Sequence, residues 1–412
     1  MYNYSNIPAE EKNLLINLGM CISDLHNYYL DPPEIIEKRM KLYKSIGIKT
    51  MRIEMGWRNM EAEKGIWKAP IFNDYLIKAR NAGMRLKLIP GTIMCPPNWF
   101  FKEHPDSQMI NNDGRKSINV ISFWYPGLRK YLIQSIEGIM TWLRDNNFLE
   151  ITDAVFGDFS AGGEPIYPAA WTQGKPPMDE EAFWCYDKYA QKDFAQKMKE
   201  KYQTISAANQ SWGRGYASFD EVTVPLPKTA PGQMWRDVLD WYRKTKNDFV
   251  IDQIKMFKAA IDKYSAGRIR LILYVPGVDI TEAYYEDAVA TGGGNAFIRV
   301  MSDSKFLIET AAKEGCCLQY TGVENDPEVK HLTEYIAEKG YNILLIGENA
   351  GLPQVMADPE NIADIVMKYN LDGIDYTHSV LLFEDDHITP TEVFDKYIMA
   401  MDSFGKYMQK KQ

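Results

Sequence analysis

The sequence predicts one α/β barrel of eight parallel strands, and three observations support that prediction. Eight short apolar runs recur along the 412-residue chain. Amphipathic segments lie between them, which is the alternation that a (β/α)8 barrel requires. No low-complexity linker and no internal repeat divides the chain. We therefore predict a single (β/α)8 domain over residues 1–412.

The predicted strands are near-continuous hydrophobic runs, as expected for parallel strands that are covered on both faces. They comprise residues 16–23, 50–55, 85–92, 153–160, 269–277, 316–324, 342–350 and 373–378. The segments between them include PPEIIEKRMKLYKSIG and PIFNDYLIKARNAG, each of which ends at a glycine, as helices commonly do. No G-x-G-x-x-G motif follows a strand, which disfavours a doubly wound nucleotide-binding sheet.

One connection is much longer than a plain strand-to-helix loop. It runs from Glu164 to Ile269 and contains the helical segment MWRDVLDWYRKTKNDFVIDQIKMFKAAI. That segment supplies the crossover helix to the next strand. We expect residues 165–240 to form an insertion within the barrel domain that caps the carboxyl-terminal rim of the strands.

The composition excludes several classes of protein. A net charge of −9 and a pI near 5.3 leave no basic stripe for nucleic acid. No apolar run is long enough to span a membrane. The amino terminus, MYNYSNIPAEEKN, lacks the order of a signal peptide, so we expect a cytoplasmic protein, with a removed signal left open.

The cysteines and histidines predict neither a metal site nor a cofactor. The five cysteines are scattered, the five histidines lack ligand spacing, and we expect the cysteines to be buried as small hydrophobes. The notable excess is aromatic, with 10 Trp and 25 Tyr. Most of these rings are expected in the core, but exposed ones in an acidic chain suit the apolar faces of sugars.

Four glutamates lie at the carboxyl ends of predicted strands: Glu54, Glu164, Glu324 and Glu348. In an α/β barrel the active site lies at these carboxyl ends. An acid in the barrel mouth is partly desolvated, and like-charged neighbours move pKa values further apart. Two such carboxylates can act as general acid and general base, the pair that glycosidic bond hydrolysis needs. For any one of them, an ion pair with a barrel Arg or Lys is the structural alternative.

Five strings, in chain order, resemble glycoside hydrolase family 14, the β-amylases. MRIEMGWRNMEAEKG is similar to that family's second strand, GGEPIYPAAW to the segment around its catalytic acid, and EAFWCYDKYAQ to the stretch that follows. LQYTGVEN is similar to Leu-Asn-Phe-Thr-x-x-Glu, and IGENAGLP to Gly-Glu-Asn-Ala-Leu-Pro. The resemblance extends over predicted strands 2 to 8.

This resemblance implies an inverting hydrolase of oligo- or polysaccharides that needs no metal ion. Glu164 would be the general acid, and Glu324 the base that activates a water on the opposite face of the sugar. Other residues are expected to bind the carbohydrate: Glu54, Trp57, Trp99, Tyr167, Tyr320, Thr321, Asn325, Glu348 and Asn349. Trp124 and Trp171 are further candidates for stacking on sugar rings.

The chain departs from family 14 in the residues that hold glucose. The glycine-rich lid after strand 3 is replaced by IPGTIMCPPNWFFKEHPD, and the histidine before it by Thr92 or Ile93. The lysine after strand 5 has no counterpart, and Gln354 stands in place of an arginine. The reaction class is therefore better supported than starch as the substrate.

Two alternatives remain open from the sequence. WRNMEAEKGIW and GTIMCPPNWFFKEHPD also resemble the retaining β-galactosidases of family 42, which would make Glu164 the acid/base and Glu348 the nucleophile. In that family an Asn usually precedes the acid, whereas Gly163 stands here. The alternative of another class is a barrel that binds sugars without hydrolysing them. The sugar, its linkage and the oligomeric state are not specified by the sequence.

Overall fold

Eight parallel strands close into a barrel in the computed structural model, which describes residues 2–24, 28–159, 161–173, 182–277 and 279–411. Around the barrel the strands follow the order β1, β2, β3, β6, β7, β8, β9 and β10, and β10 pairs with β1. The strands are β1 (Met20–Ser23), β2 (Thr50–Glu54), β3 (Arg85–Ile89), β6 (Thr152–Phe156), β7 (Arg270–Val275), β8 (Cys317–Thr321), β9 (Leu345–Glu348) and β10 (Gly373–Tyr376).

The predicted fold class is confirmed, because each of the eight apolar runs overlaps one barrel strand. The first run is the one that the sequence placed least well. Its residues up to Leu18 belong to helix α1, whose buried face includes Leu15 and Ile16, and β1 begins only at Met20. A buried helix end and a buried strand are both apolar, so hydrophobicity alone does not separate them.

Helices cover the barrel and alternate with its strands. The α-helices among the described residues are α1 (Ala9–Leu18), α2 (Pro33–Ser45), α3 (Trp57–Met60), α4 (Pro70–Asn81), α5 (Asn98–Glu103), α6 (Leu128–Asp145), α7 (Lys188–Tyr202), α8 (Ile205–Trp212), α9 (Gln233–Ser265), α10 (Glu282–Thr291), α11 (Ala296–Val300), α12 (Ser304–Glu314), α13 (Asp326–Glu338), α14 (Pro353–Met356), α15 (Pro359–Lys368) and α16 (Glu392–Lys411). In α2 and α4 a proline occupies the first turn, where its missing N–H costs nothing.

A short antiparallel hairpin lies in the connection after β3. It consists of β4 (Gln108–Ile110) and β5 (Lys116–Ile121), and it was not predicted from the sequence. The Asn111 side chain stabilises its turn by accepting hydrogen bonds from the backbone N–H groups of Asp113 and Arg115. Helix α5 lies within the segment IPGTIMCPPNWFFKEHPD, and the hairpin follows directly after it.

The long connection between β6 and β7 contains α7 and α8 as well as the crossover helix α9. The two shorter helices are attached to the start of α9 through the buried carboxylate of Asp237. That carboxylate accepts hydrogen bonds from Lys201, Tyr202 and Trp212, each at 2.7 Å. Helix α9 already begins at Gln233, inside the 165–240 stretch that the sequence assigned to the insertion.

Four of the five cysteines are buried and Cys95 is half-buried, and all five are free thiols, as expected of small hydrophobic side chains. Within the described part of the chain, no helix combines the length and the apolar character needed to cross a membrane.

Candidate active site

Glu164 is presented by a sharply turned loop that follows β6. The preceding residue, Gly163, has a φ of +87°, and a Cβ there would lie 3.2 Å from the Tyr274 ring. A residue with a side chain would be strained in this conformation and would crowd that ring. Beyond the acid, the backbone N–H of Tyr167 donates to the carbonyl of Val300 at 2.9 Å. Both ends of the Glu164 loop are thereby held.

The surroundings of Glu164 raise the pKa of its carboxyl group, so that it keeps its proton up to near neutral pH. Removal from water is the main cause, and it raises the pKa of Glu164 to about 7 from an ordinary value of 4.5. The Thr321 hydroxyl donates a hydrogen bond to Oε1 at 2.8 Å and opposes the rise, while the negative charge of Glu348 adds to it. A carboxyl group with these properties can serve as a general acid.

Glu348, the last residue of β9, accepts hydrogen bonds from three sides. Its Oε2 lies 2.6 Å from the Arg52 guanidinium and accepts from the Gln319 amide at 2.6 Å. Its Oε1 accepts from the Thr377 hydroxyl. The residue as a whole is only 7% exposed. Since every partner donates, the carboxyl oxygens of Glu348 act here only as hydrogen-bond acceptors.

A second buried ion pair lies next to Glu348 in the barrel interior, and its acid, Asp375, is the register partner of Glu348. The Lys87 ammonium is 3.2 Å from Oδ2 of Asp375, and both side chains are fully buried. The amide of Gln319 bridges the two acids, donating to Glu348 and, at 3.0 Å, to Asp375. Arg52 also lies 3.6 Å from Asp375. Two cations and two carboxylates thus form one network inside the strands.

Sequence reasoning missed Arg52, Lys87, Gln319 and Asp375, although a signal was present. Each is a polar residue within an otherwise apolar strand, and Arg52 lies two positions before Glu54, on the same face of β2. Charged residues in strands that are buried on both sides must find partners in the barrel interior. Their presence in TMRIEM, RLKLIP and GIDYTH could have indicated a polar centre.

Glu324 lies in the loop after β8 and is half-buried. Its Oε2 accepts a hydrogen bond from the backbone N–H of Ala350 at 3.1 Å, which connects this loop to the one after β9. The next residue, Asn325, is exposed at the start of α13. The negative charge of Glu348 contributes to the raised pKa of Glu164.

Glu54 ends β2 and is half-buried, with the Cys95 thiol 3.7 Å from its Oε1. A further buried acid lies nearby that sequence reasoning did not single out. Asp158 accepts hydrogen bonds from the backbone N–H of Ile93 at 2.6 Å and from the Thr92 hydroxyl at 3.0 Å. Burial raises the pKa of Asp158 to about 6 against these hydrogen bonds, and the charge of Glu54 contributes to the rise. Asp158 therefore fixes the backbone that follows β3.

The tryptophans predicted to bind sugar differ in how accessible they are. Trp57 is buried, and its indole N–H donates to the Glu61 carboxylate at 2.6 Å. Trp99 is half-buried and packs edge-on against Trp57, with ring centroids 5.7 Å apart. Trp124 is half-buried and stacks on Trp241. The side chain of Trp171 falls outside the described residues. Trp99 is thus better placed than Trp57 to meet a ligand.

Three other residues predicted to bind sugar are packed inside the protein. The ring of Tyr167 stacks on Tyr242 at 3.6 Å with an angle of 5° between the planes. Tyr320 is 4% exposed. Asn349 is buried, and its side-chain oxygen accepts from the backbone N–H of Thr377 at 2.9 Å. These contacts support the walls of the site.

The four strand-end acids all lie on the carboxyl-terminal side of the barrel, since each ends or follows a parallel strand of the closed sheet. Among the residues described, no group of three or more His, Cys, Asp or Glu side chains is arranged to hold a metal ion. In (β/α)8 enzymes the active site lies at this end of the strands, so the fold and the position of these carboxylates are those of a barrel enzyme.

The chain belongs to glycoside hydrolase family 42. The model of that family, described as beta-galactosidase, matches residues 27–140 and 175–288, which is more than half of the chain. Neither matched range contains Glu164, Glu324 or Glu348. The family assignment and the geometry of these acids are therefore independent observations.

Curated relatives include both kinds of enzyme that the sequence resembles. The thermophilic beta-amylase of Thermoanaerobacterium thermosulfurigenes is 24% identical over 229 residues, covering 48% of this chain and 40% of the relative. The beta-galactosidase BgaH of Haloferax lucentense is 23% identical over 225 residues, covering 52% of this chain and 31% of the relative. The match thus spans less than half the length of each relative. The resemblance to both families is confirmed.

Solved structures show the same fold at low sequence identity. The catalytic domain of beta-amylase from Paenibacillus polymyxa superimposes with a TM-score of 0.75 at 16% identity, covering 94% of this chain and 99% of that one. The beta-galactosidase of the psychrophilic Marinomonas ef1 superimposes with a TM-score of 0.63 at 15% identity, covering 95% of this chain and 60% of that one.

Proposed function

We propose that the protein is a retaining glycosidase that hydrolyses a β-glycoside, with Glu164 as acid/base and Glu348 as nucleophile. The observation that carries this proposal is the contrast between the two carboxyl groups. Glu164 holds a proton up to about pH 7, whereas Glu348 accepts hydrogen bonds from Arg52, Gln319 and Thr377 as a carboxylate. The two groups also interact electrostatically, as residues that share one mouth do.

In the first step, an oxygen of Glu348 attacks the anomeric carbon and forms a glycosyl ester. The bond from that carbon to the leaving oxygen breaks, and Glu164 donates its proton to that oxygen. In the second step, the Glu164 carboxylate takes a proton from a water molecule. That water attacks the anomeric carbon and releases Glu348, so both side chains return to their starting states.

The neighbours of the two acids have supporting roles in this proposal. Arg52 holds Glu348 in one orientation and keeps it ionised between turnovers. Thr321 donates to Glu164 and stabilises the carboxylate that forms after proton transfer. Glu324 positions the loop after β9 through Ala350. Glu54 and Trp99 are half-buried at the strand ends and are the best-placed residues to contact the sugar.

An inverting, β-amylase-like reaction with Glu324 as base is the second candidate. The observation that favours it is that Glu324 is half-buried and has one carboxyl oxygen, Oε2, engaged by Ala350. Its Oε1 could then activate a water. Against this candidate stands the direct electrostatic interaction of Glu164 with Glu348.

The stereochemistry of the first-formed product separates the two candidates. An aryl β-galactoside, with a panel of other aryl glycosides beside it, is incubated with the protein and followed by proton NMR from the first minutes. Retention gives the β-anomer first, before mutarotation, and inversion of a β-glycoside gives the α-anomer. First appearance of the α-anomer would overturn the nucleophile role of Glu348.

A further inference from the structure

The buried pair Lys87 and Asp375 lies beside Glu348, since Asp375 is its register partner on the neighbouring strand, and two shared partners connect the pair to Glu348. Arg52 lies 2.6 Å from Glu348 and 3.6 Å from Asp375. The Gln319 amide donates to both acids, while its side-chain oxygen accepts from Lys87 at 3.1 Å. A change of charge at Lys87 or Asp375 is therefore felt at Glu348.

Ionisable groups face this network from most of the barrel. Arg52 comes from β2, Lys87 from β3, Tyr274 from β7 and Asp375 from β10. The Cys21 thiol on β1 is buried beside Asp375, and Glu164 interacts with Glu348 from the loop after β6. The hydroxyl of Tyr274 accepts from Arg52 at 3.2 Å. Of these groups, Lys87 and Arg52 supply the positive charge that offsets the two strand acids.

We propose that Lys87 and Asp375 are positioning residues that set the proton affinity of Glu348 by balancing the charge around Arg52. This inference rests on the proposed function, in which Glu348 must be ionised in the free enzyme. Burial alone would raise the pKa of Asp375, yet Arg52 and Lys87 outweigh it and lower that pKa. The positive charge of Arg52 therefore stabilises both Asp375 and Glu348. Lys87 neutralises part of the charge of Asp375, so that more of the attraction of Arg52 remains for Glu348.

The proposal predicts opposite effects from the two halves of the pair. Without the Lys87 charge, two carboxylates share Arg52 alone, and Glu348 becomes harder to ionise. Without the Asp375 charge, two cations face Glu348, and it becomes easier to ionise. In a buried, weakly screened site these changes are large. A loss of packing without a change of charge would not shift the ionisation of Glu348 in opposite directions in the two variants.

The experiment compares the pH dependence of kcat/KM for Lys87→Met, Asp375→Asn and the double variant, using an aryl glycoside that the wild type hydrolyses. The midpoint of the acidic limb should move up by about one pH unit in Lys87→Met and down in Asp375→Asn. The double variant should return it close to the wild-type position. Lys411→Met is the matched control, because Lys411 pairs with a different buried acid, Asp372.

Shifts in the same direction, or no shift, would overturn the proposal. Asp375→Asn is nearly isosteric and decides the question alone if Lys87→Met does not fold, since an unmoved or raised acidic limb contradicts the charge balance. A parallel Glu348→Gln variant separates this failure from that of the proposed function. If Glu348→Gln keeps full activity, the role of Glu348 itself is wrong.

Discussion

Arg52 on β2 and Glu348 on β9 form a 2.6 Å ion pair across the barrel mouth, from strands that are separated by β1 and β10. The pair is almost completely buried, since the two side chains are 5% and 9% exposed. A buried pair of this kind contributes little net stability, but removing one partner leaves an uncompensated charge. Its more direct consequence is positional, because it fixes the orientation of one of the four strand-end acids.

The first prediction concerns the three candidate catalytic acids. Glu164→Gln and Glu348→Gln should each lower kcat on an aryl β-glycoside at least about a hundredfold, the scale of losing general acid or nucleophilic help. Glu324→Gln should lower kcat by about tenfold or less, because in the proposed mechanism Glu324 only holds the loop that contains Ala350. Glu324→Gln is thus a matched carboxyl-to-amide control. Severe loss in Glu324→Gln with a mild effect in Glu348→Gln would favour the inverting candidate.

The second prediction concerns the hydrogen bond from Thr321 to Glu164. The hydroxyl stabilises the carboxylate and so holds the pKa of Glu164 down. Thr321→Val should let that pKa rise above about 7, and the alkaline limb of kcat/KM should move to higher pH by up to about one unit. Thr333→Val serves as the control, because Thr333 bonds only within its own helix. An unchanged or lowered alkaline limb in Thr321→Val would count against Glu164 as the proton donor.

The third prediction concerns stability against pH. Between its ordinary value of 4.5 and about 7, Glu164 keeps a proton in the folded chain that the unfolded chain has released. Stability therefore falls as pH rises through this window, by up to about 3 kcal/mol for a shift of this size. Glu164→Gln removes the effect, so its Tm should exceed that of the wild type more at pH 8 than at pH 5. Scanning calorimetry at both pH values measures the difference, and an equal gap at both would refute the raised pKa of Glu164.

The sequence predicted the barrel because its strands are apolar on both faces and its helices carry one apolar face each. These are local patterns, and closure of the sheet follows from the number of strand–helix units. The hairpin Gln108–Ile110 with Lys116–Ile121 was not predicted, because its strands are short and partly exposed. Alternation of apolar and polar residues over three to six positions is too weak a signal for such strands.

The site was predictable as a set of acids, but their partners were not. Position at a strand end predicted that Glu54, Glu164, Glu324 and Glu348 lie at the same end of the barrel, since that rule is set by topology. The contacts of Arg52, Gln319 and Asp375 join strands far apart in the chain, and only the closed barrel brings them together. The same limit applies to Glu324, whose partner Ala350 belongs to the next strand's loop.

The last prediction is that the protein releases little or no maltose from soluble starch. A polymer-trimming enzyme gains binding energy from several sugar units, and these contacts also orient the scissile bond. The glycine-rich lid of family 14 is replaced here by α5 and the β4–β5 hairpin, so closure over a glucan chain would need another loop. Gln354 stands where that family has an arginine, and the lysine after the fifth barrel strand is absent. Two lost charged hydrogen bonds, at about 1.5–3 kcal/mol each, weaken binding at least a hundredfold.

Incubation of the protein with starch and with maltopentaose, followed by chromatography of the released maltose, tests this prediction. Turnover on the order of 10 per second, typical of an enzyme on its own substrate, would contradict it.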